Sequence, residues 1–222
     1  MVADPHVTRL RKLDCCAVSD AMDRLEIAGQ VTALAQHSGK GRIAGRVVTV
    51  RLGTGDPPPG PPRHLGTTAI ELGDADSVIV IEQRTGVEAG CWGGLLTLGA
   101  KVRGIAGVIA DGPVRDIDEA RSYEFPVFTN RTTCLTARGR VVEKETNGPV
   151  TICGLAVEAG DYVAADRSAC LFIKPGDIER VLVTAEEIVA REAAMARAIM
   201  AGKPISEVMG GNYEHMLEEG RG

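Results

Sequence analysis

Short β-branched runs alternate along the chain with segments whose apolar residues recur every three or four positions. The runs are typical of buried strands, and the segments are typical of amphipathic helices. Helices are predicted at 92–102 and 116–123, and no internal repeat is present. The pattern therefore predicts a mixed α/β fold. The predicted strands lie at 47–52, 78–81, 105–110, 126–128, 141–142, 150–152, 162–164 and 171–173.

The N-terminal segment from Val7 to Leu25 is predicted to form one or two helices. Ser19 or Asp20 is a residue type that favours an N-cap, and Gly29 lies beyond the predicted end. We therefore place the N-terminal helices at about 7–29.

The best-marked helix is predicted near the C-terminus, at about 184–201. Its start carries a capping box, in which Thr184 is the cap and Glu187 follows three residues later. Gly202 and then Pro204 end the helix. One face carries an apolar stripe made of Ile188, Val189, Ala193, Met195, Ala196, Ile199 and Met200.

Glu192 falls within that apolar stripe. A carboxylate on a packed face needs a partner that compensates its charge. Three partners are open at this point: an arginine in an ion pair, a water held by a metal, or a contact with another subunit.

Composition narrows the function classes. The 222 residues carry a net charge of −5 and include only one Trp, three Tyr and three Phe. The length suits one domain over 1–222 with an aliphatic core. An acidic chain without a basic stripe argues against nucleic-acid binding, and no apolar run is long enough to span a membrane. The first residues lack the apolar stretch of a signal peptide, so we expect a cytoplasmic protein.

Neither the cysteines nor the proline-rich segment carries a recognisable site. The six cysteines form no C-x-x-C pair, which argues against a structural zinc site. The segment 57–62 holds five prolines and is predicted to be a surface loop. It lacks the G-K-[ST] sequence of a phosphate-binding loop.

Candidate chemistry is concentrated between Cys91 and Phe128. The run Gly93-Gly94-Leu95-Leu96 starts a predicted helix, where free amides and the helix dipole can hold a carboxylate. The strand at 105–110 brings Arg115 and Asp116 towards its carboxyl end.

Arg115 and Asp116 together suit a 2-oxo acid. Arg115 offers a fork for a carboxylate or an enolate oxygen, and Asp116 offers oxygen ligands for Mg²⁺ or Mn²⁺. The alternative is that the two residues form a turn ion pair and that Asp116 caps the helix after it.

A long motif covers these residues and extends beyond them. The sequence reads G-G-L-L-T-x-x-A-K-x-R-G-x-x-G-V-I-x-D-G-x-V-R-D-I-x-E, followed by F-P-V-F. It resembles the RraA-like proteins, which include the class II 4-hydroxy-4-methyl-2-oxoglutarate/4-carboxy-4-hydroxy-2-oxoadipate aldolases and the regulator of ribonuclease activity A. The resemblance runs from Ala17 to about Lys203. It implies a swivelling β/β/α domain with helical N- and C-terminal elements, homotrimers or homohexamers, and active sites at subunit interfaces.

The resemblance also assigns roles to particular residues. Arg115 matches a substrate-binding arginine, Asp116 a metal-ligating aspartate, and Leu95 a position whose amide holds the substrate carboxylate. Glu192 matches a glutamate that reaches a neighbour's site. The similar aldolases have an acidic residue followed by twenty residues before Arg-Asp, and that position here is Gly94.

Two other carboxylates, of Glu88 and Asp111, are candidates to replace the acid that is absent at Gly94. The leading hypothesis is a lyase that uses Mg²⁺ or Mn²⁺ to cleave a carbon–carbon bond of a small 2-oxo acid. It would cleave by retro-aldol reaction to pyruvate, or decarboxylate an oxaloacetate-type substrate, through a metal-stabilised enolate. The alternatives are a non-catalytic regulator of the ribonuclease-regulator type and an RraA-like enzyme with a shifted substrate.

Overall fold

Seven helices and eleven strands lie within residues 3–61 and 63–210, the parts of the chain that the computed structural model describes. The helices are α1 (Pro5–Leu10), α2 (Cys15–Arg24), α3 (Thr67–Leu72), α4 (Gly94–Arg103), α5 (Ile117–Ser122), α6 (Ile178–Met200) and α7 (Ile205–Val208). The strands are β1 (Gln30–Val31), β2 (Ala35–Ser38), β3 (Ile43–Gly53), β4 (Ser77–Glu82), β5 (Gly107–Asp111), β6 (Val127–Thr129), β7 (Val142–Thr146), β8 (Val150–Ile152), β9 (Leu155–Val157), β10 (Tyr162–Ala165) and β11 (Cys170–Ile173).

One mixed sheet organises the described residues. Its strand order is β1-β11-β10-β3-β4-β5-β6-β2, with β7 paired to the far end of β3 and a separate β8–β9 hairpin. The central strands β3, β4, β5 and β6 are parallel, and the other pairs are antiparallel. Strands β4 and β5 are apolar along most of their length because both faces of a parallel sheet are covered. Their carboxyl ends meet at one edge, where the chain continues towards Arg115.

Aliphatic side chains fill the core on both faces of the sheet, as the composition predicts. One cluster joins α1, α2 and α6 to strands β10 and β11, with Leu10, Val18 and Leu182 fully buried. A second cluster packs α3, α4 and α5 on the parallel strands, and its buried aromatic side chains are Trp92 and Phe125. The helices that carry the candidate site thus belong to a different packing unit from α6.

The predicted N-cap at Ser19 or Asp20 is wrong, because both residues lie inside α2. Two shorter helices form instead, and each starts at an aspartate. The Asp4 side chain accepts hydrogen bonds from the amides at the start of α1, and the Asp14 side chain accepts from Ala17 N at 3.0 Å. The buried face of α2 continues past positions 19 and 20, so packing extends the helix through them.

The predicted start of the C-terminal helix at Thr184 is also wrong. The helix α6 begins two turns earlier, because Val181 and Leu182 are buried against the N-terminal helices and hold the earlier turns in place. Its end at Met200, just before Gly202, agrees with the predicted stop signals. The predicted stripe is buried only at its start, since Ile188 is buried whereas Met200 is 78% exposed.

The remaining elements follow the sequence patterns to different degrees. Every strand predicted from an apolar run is present; β8 has the predicted bounds and the others have shifted ends. The short elements α3, α7, β1, β2 and β9 were not predicted, because each is too short to show a period. Residues 57–61 form neither helix nor strand, and Pro62 lies outside the described residues. Across 3–61 and 63–210, no helix is both long and apolar enough to cross a lipid bilayer.

Candidate functional site

The segment 112–115 leaves the end of β5 between two neighbouring stretches of chain. On one side Cys91 N donates to Pro113 O at 2.8 Å, and Arg115 N donates to Trp92 O at 3.0 Å. On the other side, the backbone of 131–133 pairs with Val114. This double pairing fixes Arg115 and Asp116 beside the start of α4.

Two side-chain hydrogen bonds, made by Trp92 and Thr97, fix the start of α4. Trp92 is buried, and its Nε1 donates to Thr97 Oγ1 at 2.9 Å, while the same hydroxyl donates to Gly93 O at 3.0 Å. The first-turn amides of Leu95 and Leu96 have no acceptor in the described part of the chain. Free amides at a helix start are donors for an anionic group.

Asp116 accepts from a third amide at the start of α4, that of Gly94. Its Oδ2 accepts a hydrogen bond from Gly94 N at 3.0 Å, so the side chain caps α4 across the fold. The interpretation that Asp116 caps the following helix is wrong, because no side-chain cap bond reaches α5. Asp116 adopts a left-handed conformation with φ of 59°, a backbone arrangement that is costly outside glycine, asparagine and aspartate. That conformation turns the carboxylate away from α5 and towards Gly94.

Arg115 pairs with the same carboxylate through one nitrogen only. Its Nε lies 3.3 Å from Asp116 Oδ1 and 3.2 Å from Oδ2, which is the predicted turn ion pair. No residue in the described ranges contacts the terminal nitrogens of the guanidinium by a hydrogen bond or ion pair. With the side chain 36% exposed, those nitrogens remain available to a carboxylate or an enolate oxygen.

Two glycines make room for this pair. A Cβ at Gly90 would lie 3.1 Å from Arg115 Cγ, and a Cβ at Gly93 would lie 2.8 Å from Asp116 Oδ2. Any larger residue at either position would push the charged side chains away from the helix start.

Glu119 also lies at the start of α4, beside Gly94, and it was not predicted as a site residue. Its carboxylate lies over Gly94, where its Cδ would be 2.7 Å from an added Cβ. Only its spacing of three residues from Asp116, at the start of a predicted helix, could have signalled that both carboxylates face the same way.

The two carboxylates proposed to replace an acid at position 94 are engaged elsewhere. Glu88 pairs with Arg131 at 3.7 Å. Asp111 is largely buried at the end of β5, where it accepts hydrogen bonds from Asn130 Nδ2 at 2.9 Å and from Cys153 N at 2.7 Å. Neither Glu88 nor Asp111 is among the nearest neighbours of Gly94 in the described residues, which are Glu119 and Asp116.

Glu192 lies apart from Arg115 and Asp116 within the chain. It is exposed on α6, which packs on α1 and α2. Loss of water around it, and then the charges of Asp14 and Asp20, raise the pKa of its carboxyl. The expected ion pair with an arginine is not found among the described residues, because the charges facing Glu192 are acidic.

The donor set beside α4 fits a hard divalent cation. Within the described ranges, no three His, Cys, Asp or Glu side chains are grouped as a metal cage. Mg²⁺ is commonly held by one or two carboxylates and keeps several waters, which matches Asp116 with Glu119 at a half-exposed site. A zinc site usually includes Cys or His ligands, and none is grouped with these carboxylates in the described ranges.

Comparison with known proteins agrees with this architecture. The family described as RraA-like, Aldolase/RraA, matches residues 15–171. A Halalkalibacterium halodurans protein, provisionally named a 4-hydroxy-4-methyl-2-oxoglutarate aldolase, is 28% identical over 195 residues, covering 87% of this chain and 88% of its own.

Two solved structures share the fold. An uncharacterised protein of Pseudomonas syringae pv. tomato is 25% identical with a TM-score of 0.82, covering 94% of this chain and 98% of its own. Streptomyces coelicolor RraAS2, an unusual member of the RNase ES inhibitor RraA protein family, is 19% identical with a TM-score of 0.73, covering 87% and 96%. The expected swivelling β/β/α fold with helical N- and C-terminal elements is confirmed. The chain therefore belongs to the RraA-like (Aldolase/RraA) family.

Proposed function

We propose that the protein is a divalent-metal-dependent carbon–carbon lyase acting on a small 2-oxo acid. The reaction is retro-aldol cleavage to pyruvate or decarboxylation of an oxaloacetate-type substrate. The observation that carries the proposal is the convergence of three groups: the free amides of α4, the open fork of Arg115 and the carboxylate of Asp116.

The free amides of Leu95 and Leu96 anchor the substrate carboxylate, whereas the amide of Gly94 donates to Asp116. An anion at this end of α4 meets outward-pointing N–H groups and the positive end of the helix dipole. Leu95 contributes its amide, while its side chain is 86% exposed and leaves the approach open to a small molecule.

Arg115 and Asp116 act at the keto end of the substrate. Asp116, with its anionic oxygen beside Gly94, would hold Mg²⁺ or Mn²⁺, which when bound supplies Lewis-acid polarisation of the keto oxygen. In the retro-aldol cleavage, the C4 hydroxyl loses its proton to water and becomes a carbonyl as the C3–C4 bond breaks; in the decarboxylation, the bond from C3 to its carboxylate breaks and CO2 leaves. In both cases the electron pair of the broken bond delocalises into an enolate. The terminal nitrogens of Arg115 donate to that developing negative oxygen, and a proton added at C3 completes pyruvate.

We also propose that the protein assembles with itself as a trimer or a hexamer. The exposed face of α4, next to the site, is apolar: Leu95 and Val102 lie seven residues apart, and Val102 is 81% exposed. In such an assembly Glu192 of one protomer reaches the site of its neighbour. Its exposure and lack of a cation partner within the described chain support that role.

The cytoplasm is the proposed location. All six cysteines are free thiols, which suits a reducing compartment. A 2-oxo acid and further copies of the chain are the proposed partners, without nucleic acid or membrane.

A coupled assay of pyruvate release tests the proposed reaction. Oxaloacetate and 4-hydroxy-4-methyl-2-oxoglutarate are each incubated with the protein in Mg²⁺, in Mn²⁺ and in EDTA, beside blanks with metal and no protein. We expect pyruvate above the blank from at least one substrate with metal, and none in EDTA. No release from either substrate with either metal would reject the lyase and favour a non-catalytic regulatory role.

A further inference from the structure

We propose that Glu119 is the second carboxylate of this site and faces the cation beside Asp116, directly or through a water. The inference deepens the proposed function and rests on it. It concerns a residue on α5, one turn beyond Asp116.

The geometry places both carboxylates around one point at the start of α4. An added Cβ at Gly94 would be 2.7 Å from Glu119 Cδ, with Glu119 Oε2 closer still, and 3.4 Å from Asp116 Cβ. Asp116 Oδ2 already accepts from Gly94 N. The two acidic side chains therefore approach the same residue from one side.

The Glu119 carboxylate has no partner of its own in the chain as described. No hydrogen bond or ion pair reaches its oxygens, whereas its neighbour Asp118 pairs with Arg121 at 3.2 Å. Glu119 is exposed, so a cation arriving from solvent beside Gly94 can meet its carboxylate as well as that of Asp116. Arg115 contacts Asp116 through Nε, and no cation of the described residues pairs with Glu119.

Glycine is needed at position 94 because a side chain there would collide with Glu119, and not because the backbone conformation requires glycine. It is the first residue of α4 and has no left-handed φ, so another residue could adopt its conformation. A side chain there would instead occupy the volume of the Glu119 carboxylate. The glycine and the glutamate thus form a matched pair, in which the absent side chain at 94 admits the carboxylate from 119.

Titration of the purified protein with Mn²⁺, followed by electron paramagnetic resonance or calorimetry, tests the proposal without using activity. We expect Glu119→Gln to weaken Mn²⁺ binding by at least about tenfold, the usual effect of losing a supporting carboxylate at a metal site. Asp118→Asn, on the same turn, is the matched control and should bind as the wild type does. Asp116→Asn should bind more weakly than either.

A double-mutant cycle separates the contribution of Glu119 to Mn²⁺ binding from a general effect of the substitutions on folding. Gly94→Ala should weaken Mn²⁺ binding by displacing the Glu119 carboxylate, yet add no further loss in the Glu119→Gln background. Gly94→Asp combined with Glu119→Ala should restore binding, because the new carboxylate enters the volume that the shortened side chain at 119 leaves empty. Melting temperatures are measured for all variants.

The results separate the role of Glu119 from the proposed lyase function. Wild-type Mn²⁺ affinity in Glu119→Gln, together with weak binding in Asp116→Asn, would overturn the role of Glu119 and leave the proposed function standing. A lower melting temperature with unchanged Mn²⁺ affinity would overturn it too, since Glu119 would then only stabilise the positive end of α4. No Mn²⁺ binding by the wild type would remove both proposals.

Discussion

Asp116 shows how one residue can serve two elements at once. It stands at the N-cap position of α5, yet its side chain caps α4 by accepting from Gly94 N. The left-handed backbone makes this possible, because it redirects the side chain across the gap between the helices. Proximity in sequence pointed to the wrong helix.

Asp116→Asn should abolish pyruvate release while the protein stays folded. An asparagine tolerates the left-handed conformation and can still accept from Gly94 N, so the cap survives. The anionic ligand and the partner of Arg115 Nε are lost. Turnover and the melting temperature are measured together, with Asp118→Asn as control. Wild-type turnover in this variant would show that Asp116 is only a cap.

Arg115→Lys should lower kcat/KM. The expected loss of transition-state stabilisation is about 2–3 kcal/mol, the order seen when one preorganised donor is removed. A lysine ammonium cannot pair with Asp116 through Nε and still present two further donors to the substrate. Steady-state kinetics on the substrate identified by pyruvate release measure the loss. An unchanged kcat/KM would make Arg115 structural.

At the scale of elements, the sequence predicts a helix or strand most accurately where every side of that element is buried. The strands β4 and β5 are covered on both faces, so their continuous apolar runs identify them directly. Helix starts were harder to predict, because burial of residues such as Val181 extends α6 upstream of the capping box at Thr184. That extension depends on α1 and α2, which lie far away in the sequence.

The contact between α2 and α6 gathers acidic side chains, and this predicts a dependence on pH. A carboxyl whose pKa is raised by folding destabilises the protein at any pH above that pKa. Burial and neighbouring acids raise the pKa of both Glu192 and Asp20. In the single chain, obtained with a variant such as Val102→Glu that disrupts the proposed contact of α4, Glu192→Gln should therefore raise the melting temperature at pH 7, and the gain should vanish near about pH 3.5, where the carboxyl is protonated in both states.

Glu187→Gln, at another exposed position of α6, controls for loss of a surface charge. A lower melting temperature for Glu192→Gln at pH 7 in that single-chain background would mean that a cation faces Glu192 within its own chain. The destabilising role would then be wrong.

At the scale of the whole molecule, the exposed face of α4 links assembly to the site. Val102→Glu places a charge at the C-terminal end of that apolar face without touching the buried side of the helix. We expect the mass measured by light scattering to fall towards that of a single chain, with the melting temperature as a check on folding. An unchanged mass would place the subunit contact elsewhere.

The site could be predicted only in part from the sequence. Arg115 and Asp116 adjoin a distinctive strand and motif, so they could be singled out in advance. The approach of Glu119 to Gly94 could not, because it depends on how α5 docks beside α4. Nor could the separation of Glu192 from Arg115, since that depends on which strands of the sheet α6 packs against.

The most direct test of the central claim is the anomalous diffraction of Mn²⁺ in crystals grown with oxalate, a planar dicarboxylate that resembles the enolate of pyruvate. The account predicts an anomalous peak at coordination distance from Asp116. It also places one oxalate carboxylate on the amides of Leu95 and Leu96, with the terminal nitrogens of Arg115 beside the other end. A Mn²⁺ peak away from Asp116, or oxalate bound without contact to the start of α4, would contradict it.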